Sequence, residues 1–146
     1  MKKVFIMVLA FIFLSFNPSN NEEIYSLTVK VNDLRNSEGN VQFALYNEEG
    51  SIPDEKYKKY FIKDIAIING NESTITFKDL PKGRYAINIL HDENKNGKID
   101  KKFIIPEEGI GFSNYESIGF NNKPKFSKAS FDLKSDMKVN IKVIYM

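Results

Sequence analysis

The sequence predicts an all-β protein, an antiparallel β-sandwich of roughly seven strands with one long ordered loop. Apolar and polar residues alternate with period two in several segments, Gly, Pro and Asn punctuate the gaps, and helical periodicity is nearly absent. At 146 residues the chain suits one domain, and it remains long enough for an independent core if a short targeting segment is removed.

The first element is Tyr25 to Asn32, where Tyr25, Leu27, Val29 and Val31 share one face of a half-buried strand. Asn36-Ser-Glu-Gly39 supplies turn chemistry, and Val41 to Tyr46 reads as the second strand of a hairpin. Pro53 to Lys59 breaks the alternation and reads as a short helical turn, with Pro in its first turn and acids preceding bases. Ile62 to Ile68 is β-branched, Asn69-Gly70-Asn71 is a turn, and Ser73 to Phe77 alternates again, which predicts a second hairpin. Leu80-Pro-Lys-Gly-Arg-Tyr85 turns into a strand from Tyr85 to His91, and Ala129 to Leu133 and Lys138 to Tyr145 complete the set. Between Asp92 and Lys128 no regular pattern appears, and stretches of that length in a compact domain are usually functional.

Lys2 and Lys3 precede an uncharged apolar run from Val4 to Leu14, the pattern of a signal peptide too short to span a bilayer comfortably. Residues 1–19 are therefore expected to be a signal peptide or an uncleaved N-terminal anchor, 20–24 a linker and 25–146 the sandwich domain. No small-residue pair near Ser15 to Ser19 marks a cleavage position. The expected location is periplasmic, cell-surface or secreted. The chain has no cysteine, which excludes a lipoprotein anchor, a disulfide scaffold, a thiol nucleophile and thiolate metal centres. Setting Lys2 and Lys3 aside reduces the 21 Lys+Arg to 19, equal to the 19 Asp+Glu, so no electrostatic case exists for nucleic acid.

Asp92-Glu-Asn94-Lys-Asn96-Gly97-Lys98-Ile99-Asp100 follows the first nine positions of a calcium loop, with oxygen-bearing side chains at alternate positions and Gly where the backbone must turn sharply. Lys98 would offer its backbone carbonyl. Position twelve, where a bidentate Glu belongs, is Phe103, and strands flank the loop where an EF-hand has helices, so an EF-hand is excluded. The expected metal ligands are Asp92, Asn94, Asn96, Lys98 and Asp100, with Glu107 or Glu108 folding back to supply the missing carboxylate. Calcium is the implied cofactor, with weak affinity in the range of roughly 10⁻⁴–10⁻³ M. The alternative is an Asx-rich turn in which Asp92, Asn94 and Asn96 cap their own backbone.

His91 is the only histidine, so no multi-histidine zinc site can form. Its expected role is a strand-end residue bonded to loop backbone, against the rival role of a general base. Gly109-Ile-Gly111-Phe112-Ser-Asn114 lacks the Lys-Ser/Thr ending of a phosphate loop. Tyr57 and Tyr60 among Lys56, Lys58 and Lys59 read as a solvated charged turn, or alternatively as a surface for anionic glycans or lipid heads.

Three strings in order, Leu80-Pro-Lys-Gly-Arg-Tyr-Ala86, His91 to Asp100, and Pro106-Glu-Glu-Gly-Ile-Gly-Phe-Ser-Asn114, closely resemble an uncharacterised exported bacterial family, domain of unknown function twenty-one forty-one. The likeness runs from about Leu27 to Ile141 and includes Leu34-Arg-Asn-Ser-Glu-Gly39. It implies export and a prealbumin-like or carboxypeptidase-regulatory-like sandwich, and brings no catalytic residue with it.

The function expected is a non-enzymatic binding or structural module acting on an extracytoplasmic protein or glycan, with membrane contact only through an uncleaved N-terminal segment. The rivals are an extracellular hydrolase, using His91 with Asp92 and Asp100 or the Glu107/Glu108 pair, and a carbohydrate-binding sandwich presenting aromatic side chains.

Overall fold

A computed structural model describes residues 22–146. The expected targeting segment and the first residues of the linker lie outside the described residues. Ten strands and one short helix follow in the order β1 (Ile24–Asn32), β2 (Asn40–Tyr46), β3 (Ile62–Ala66), β4 (Ser73–Pro81), β5 (Gly83–Asp92), β6 (Lys101–Lys102), β7 (Ile105–Pro106), β8 (Gly109–Phe112), α1 (Phe126–Ala129), β9 (Phe131–Leu133) and β10 (Met137–Lys142).

Two sheets form the sandwich. One is ordered β10-β1-β4 and the other β3-β2-β5-β8, with β9 paired to the opposite end of β5 from the loop. The main core lies between them. Leu27, Val29 and Val31 of β1 and Phe77 of β4 meet Val41, Phe43 and Leu45 of β2 and Ile87 and Ile89 of β5. Each set is spaced by two residues, so the alternation in the sequence is the alternation of the pleat.

The five-stranded sheet is buried on its second face too. Ala44, Tyr46, Ala86 and Leu90, with Ile110 and Phe112 of β8 beside them, point away from the main core and are covered by Ile52, Tyr57, Tyr115 and Phe126. Consequently β2 and β5 carry nearly unbroken buried runs, and their outward positions Gln42, Asn88 and Asp92 are also buried. This outer layer is where the long loop packs.

The all-β sandwich stands, and several local expectations are corrected. β1 does not form a hairpin with β2. It pairs antiparallel with β4 and parallel with β10, while β2 pairs with β3 and β5. The Asn69 to Glu72 turn closes through two backbone hydrogen bonds but joins strands of different sheets. Pro53 to Lys59 is a turn, with Tyr57 N–H donating to the Asp54 carbonyl at 3.1 Å. Tyr57 is a core residue, 6 % exposed, and only Tyr60 remains at the surface. Burial of a large ring outweighs the local charge pattern of its neighbours. The irregular stretch from Asp92 to Lys128 contains β6, β7, β8 and the start of α1, whose two- and four-residue strands are too short to leave a periodic signal.

Candidate functional site

Asp92 ends β5 on the outer face, and Asn40 lies opposite it in register. The chain then curls over that face, with left-handed backbone at Lys95 (φ 61°) and Gly97 (φ 71°). Asp92 is 1 % exposed. Its two carboxylate oxygens accept the N–H groups of Asn96 at 3.0 Å and Gly97 at 2.7 Å. Asn94 Oδ1 accepts from Asn96 N–H and Asn96 Oδ1 from Lys98 N–H, so the Asx turns are formed. Both amide nitrogens, Asn94 Nδ2 and Asn96 Nδ2, donate to one oxygen of Asp100, at 2.6 and 2.7 Å. Lys98 is exposed.

Glu108 closes the loop. It is 4 % exposed, and its carboxylate accepts the backbone N–H of Glu93 at 3.0 Å and that of Asp100 at 3.4 Å. Burial pushes its pKa above the ordinary value of 4.5, the two N–H groups pull it back, and the charges of Asp92 and Asp100 raise it further. Glu107 contributes only its backbone, donating to the Asp100 carbonyl at 2.9 Å, and its side chain is exposed. Of the two expected closing residues, the structure brings in Glu108 and leaves Glu107 out. Among the described residues no three His, Cys, Asp or Glu side chains are grouped tightly enough to enclose a metal ion.

Beneath the loop lies polar chemistry that the sequence reading missed. Gln42 is fully buried, and neither Nε2 nor Oε1 makes a hydrogen bond of good geometry, although the amide stands beside the Tyr57 hydroxyl. A Cβ at Gly97 would lie 3.9 Å from Gln42 Oε1, which places the orphan amide directly under the loop. Asn40 Oδ1 is likewise buried without a partner. Tyr57 donates to Asn88 Oδ1 at 3.1 Å, and burial followed by the charges of Asp54, Asp92 and Glu108 drives its phenol far above its ordinary pKa. Asp54, 5 % exposed, accepts from Lys59 N–H at 2.7 Å and the Tyr46 hydroxyl at 3.3 Å. None of the ion pairs among the described residues reaches Asp54, Asp92 or Glu108. The available signal was parity: Gln42 and Asn88 interrupt apolar runs at positions that a sheet buried on both faces must also enclose.

A second network holds the ends of the segment. Arg35 pairs with both carboxylate oxygens of Glu93 and donates to the Glu107 carbonyl at 3.0 Å, and Asn36 donates to Glu93. The Arg35 guanidinium also lies 4.7 Å from the centre of the Tyr145 ring. His91 is fully buried. Its Nε2 donates to the Glu38 carbonyl at 2.9 Å, and its Nδ1 lies 2.7 Å from the Tyr145 hydroxyl. Both ring nitrogens are thus engaged in holding the 35–39 turn against the chain's last residues, which is the strand-end role expected from sequence.

Beside the loop a groove of about 480 Å³ opens, walled by Ile99, Ile104, Ile110, Phe112 and Phe120 with Asp54 and Asn88 among its polar lining. His91 does not line it.

No curated protein matches the chain. A fimbrial assembly protein from Parabacteroides distasonis has a solved structure that superposes with a TM-score of 0.40 at 9 % identity, covering 84 % of this chain and 52 % of that one. A pilus-presented adhesin, Spy0125 (Cpa), gives 0.29 at 14 % identity, covering 84 % and 27 %. This chain spans about half the length of the first and about a quarter of the second. The sequence itself matches one bacterial family over residues 29–142, a span that holds Arg35 and Glu93, the loop from Asp92 and its closing Glu108. With β2 to β10 and the loop inside that span, the chain belongs to the family described as uncharacterized protein conserved in bacteria, DUF2141.

Proposed function

We propose that this protein is an exported, non-enzymatic binding or structural module in which the Asp92 to Glu108 segment takes up calcium and is ordered by it. The observation that carries the reading is Glu108. Phe103 denies the loop its usual last ligand, and a buried carboxylate from the residue just before β8 turns back onto the same loop. Asp92, Asp100 and Glu108 would supply the charge, and Asn94, Asn96 and the Lys98 carbonyl the neutral oxygens, a donor set of the hard-oxygen type that calcium takes. Two supports are independent of that geometry. Among the described residues no Lys or Arg forms an ion pair with Asp92 or Glu108, and the Gln42 amide under the loop makes no hydrogen bond of good geometry. A buried negative cluster and an orphan oxygen are both costly unless a cation or donor meets them.

Asp100 is held by two neutral amide donors that calcium would have to displace, and Lys95 and Lys98 lie in the same loop, so binding is weak. Its effect is ordering, because a ligand that binds only the folded form stabilises it by RT ln(1 + [L]/Kd). Export rests on Lys2, Lys3 and the apolar run that follows. The non-enzymatic reading rests on His91, which is buried, held by two partners and kept out of the groove. The test is thermal unfolding with millimolar calcium against chelator. A higher midpoint with calcium supports the reading, and coincident midpoints leave only the Asx turns.

A further inference from the structure

The strands β6 and β7 pair Lys101 with Pro106 and Lys102 with Ile105, so Phe103 and Ile104 form a two-residue turn at the tip of the hairpin. Phe103 has φ 61° and is 94 % exposed, and Ile104 is 70 % exposed. A positive φ at the first position of such a turn favours Gly, and a bulky residue there is strained. Phe103 therefore costs backbone strain and exposed apolar surface while burying nothing within the fold. Ile105, Phe120 and Met146 are also exposed, and they line the grooves that run from this tip. Contiguous apolar surface of this kind marks an interaction site.

We infer that the Lys101–Pro106 hairpin, flanked by Phe120 and Met146, is a docking element that inserts into an anionic lipid surface. Two features select lipid over a folded partner. The tip is convex and two residues wide, whereas a stable protein interface needs about 800 Å² from each side. Lipid rearranges around a narrow tip. In addition, Lys95, Lys98, Lys101 and Lys102, all exposed, lead into the tip, and Lys123 lies along the groove shared by Ile104 and Phe120. Lys101 is paired with Glu55, and Glu107 is the acidic side chain in the groove beside Phe103. Exposed apolar residues ringed by lysines suit the headgroup boundary of an anionic bilayer. The inference shares Lys95 and Lys98 with the proposed calcium loop, but its apolar residues Phe103, Ile104, Phe120 and Met146 supply no ligand to it.

The chain contains no tryptophan, so Phe103→Trp gives the full-length protein a single indole at the tip. Because the readout is local, the apolar run from Val4 to Leu14 does not obscure it. With anionic vesicles carrying brominated acyl chains the indole emission should shift to the blue and lose intensity, more than with zwitterionic vesicles. Adding Ile104→Ser should reduce both effects. Emission that stays at the position and intensity of a water-exposed indole on anionic vesicles would overturn the inference and leave the tip to a protein partner. Equal quenching with and without Ile104→Ser would also overturn it.

Discussion

Replacing Glu108 with Gln separates the two roles assigned to that carboxylate. The side chain accepts two backbone N–H groups, from Glu93 at 3.0 Å and from Asp100 at 3.4 Å. Gln has one acceptor oxygen, so its amide N–H2 must face the second N–H. Losing one charge-assisted hydrogen bond costs about 1.5–3 kcal/mol, and the 3.4 Å bond lies at the weak end. Removing a negative charge near Asp92 and Asp100 returns part of that, so the calcium-free variant should lose about 1 kcal/mol, roughly 4 °C in Tm. The calcium increment changes more. At ten times Kd, calcium adds about 1.4 kcal/mol to the parent, roughly 5 °C. If loss of the carboxylate raises Kd tenfold, the same calcium adds only about 0.4 kcal/mol to the variant, or 1–2 °C. The assay is a pair of circular-dichroism melts for each protein, with chelator and with about 10 mM calcium, the upper end set by the weak affinity expected of such loops. A variant that keeps the full increment would show that Glu108 is a backbone cap and no ligand.

Other perturbations probe the surroundings. Gln42→Leu removes a fully buried amide that makes no hydrogen bond of good geometry, at similar volume, and should stabilise the calcium-free protein by about 1–2 kcal/mol in urea denaturation; unchanged or lower stability would mean that the amide is satisfied, with the Tyr57 hydroxyl beside it as the partner. At Gly39 (φ 73°) a Cβ would lie 1.9 Å from the Asp92 carbonyl oxygen, which is backbone and cannot step aside. Gly39→Ala should therefore cost more than about 3 kcal/mol, and a loss under about 1 kcal/mol would contradict that close approach. The raised pKa of Glu108 means that, above 4.5, the folded protein holds this proton after the unfolded chain has lost it. Its contribution then falls as pH rises above 4.5, so the parent should lose stability on that side of 4.5 relative to Glu108→Gln when calcium is absent. Glu93, whose pKa Arg35 lowers, acts in the other direction and only below 4.5, so it does not mask the effect.

Strands with one solvated face were legible from sequence, because the period of two survives where every second residue meets water, as in Leu27, Val29 and Val31. Pairing was not legible. The apolar runs of β2 and β5 look like ordinary strand neighbours, yet burial on both faces places them side by side at the centre of their sheet, with β1 in the other. The parallel β1 to β10 ladder joins residues more than a hundred positions apart and leaves no local mark. In the site, the Asx spacing and Gly97 were visible, and the missing ligand at Phe103 directed attention to Glu107 and Glu108. Choosing between those two needed the structure, since only Glu108 lies at the buried entry to β8, directly before Gly109, which pairs with His91. Asn40 and Asp54 left no mark as site residues, and the parity of Gln42 marks one only once its face is known to be covered.

Calcium coordination by the Asp92 to Glu108 segment is tested most directly by a crystal structure determined with about 10 mM calcium. The expected result is one strong anomalous peak with oxygens of Asp92, Asp100 and Glu108 at about 2.3–2.6 Å, and the Asn94 and Asn96 amides turned away from Asp100. An empty loop, with both amide nitrogens still bonded to Asp100 and Glu108 still capping the Glu93 and Asp100 N–H groups, would contradict it.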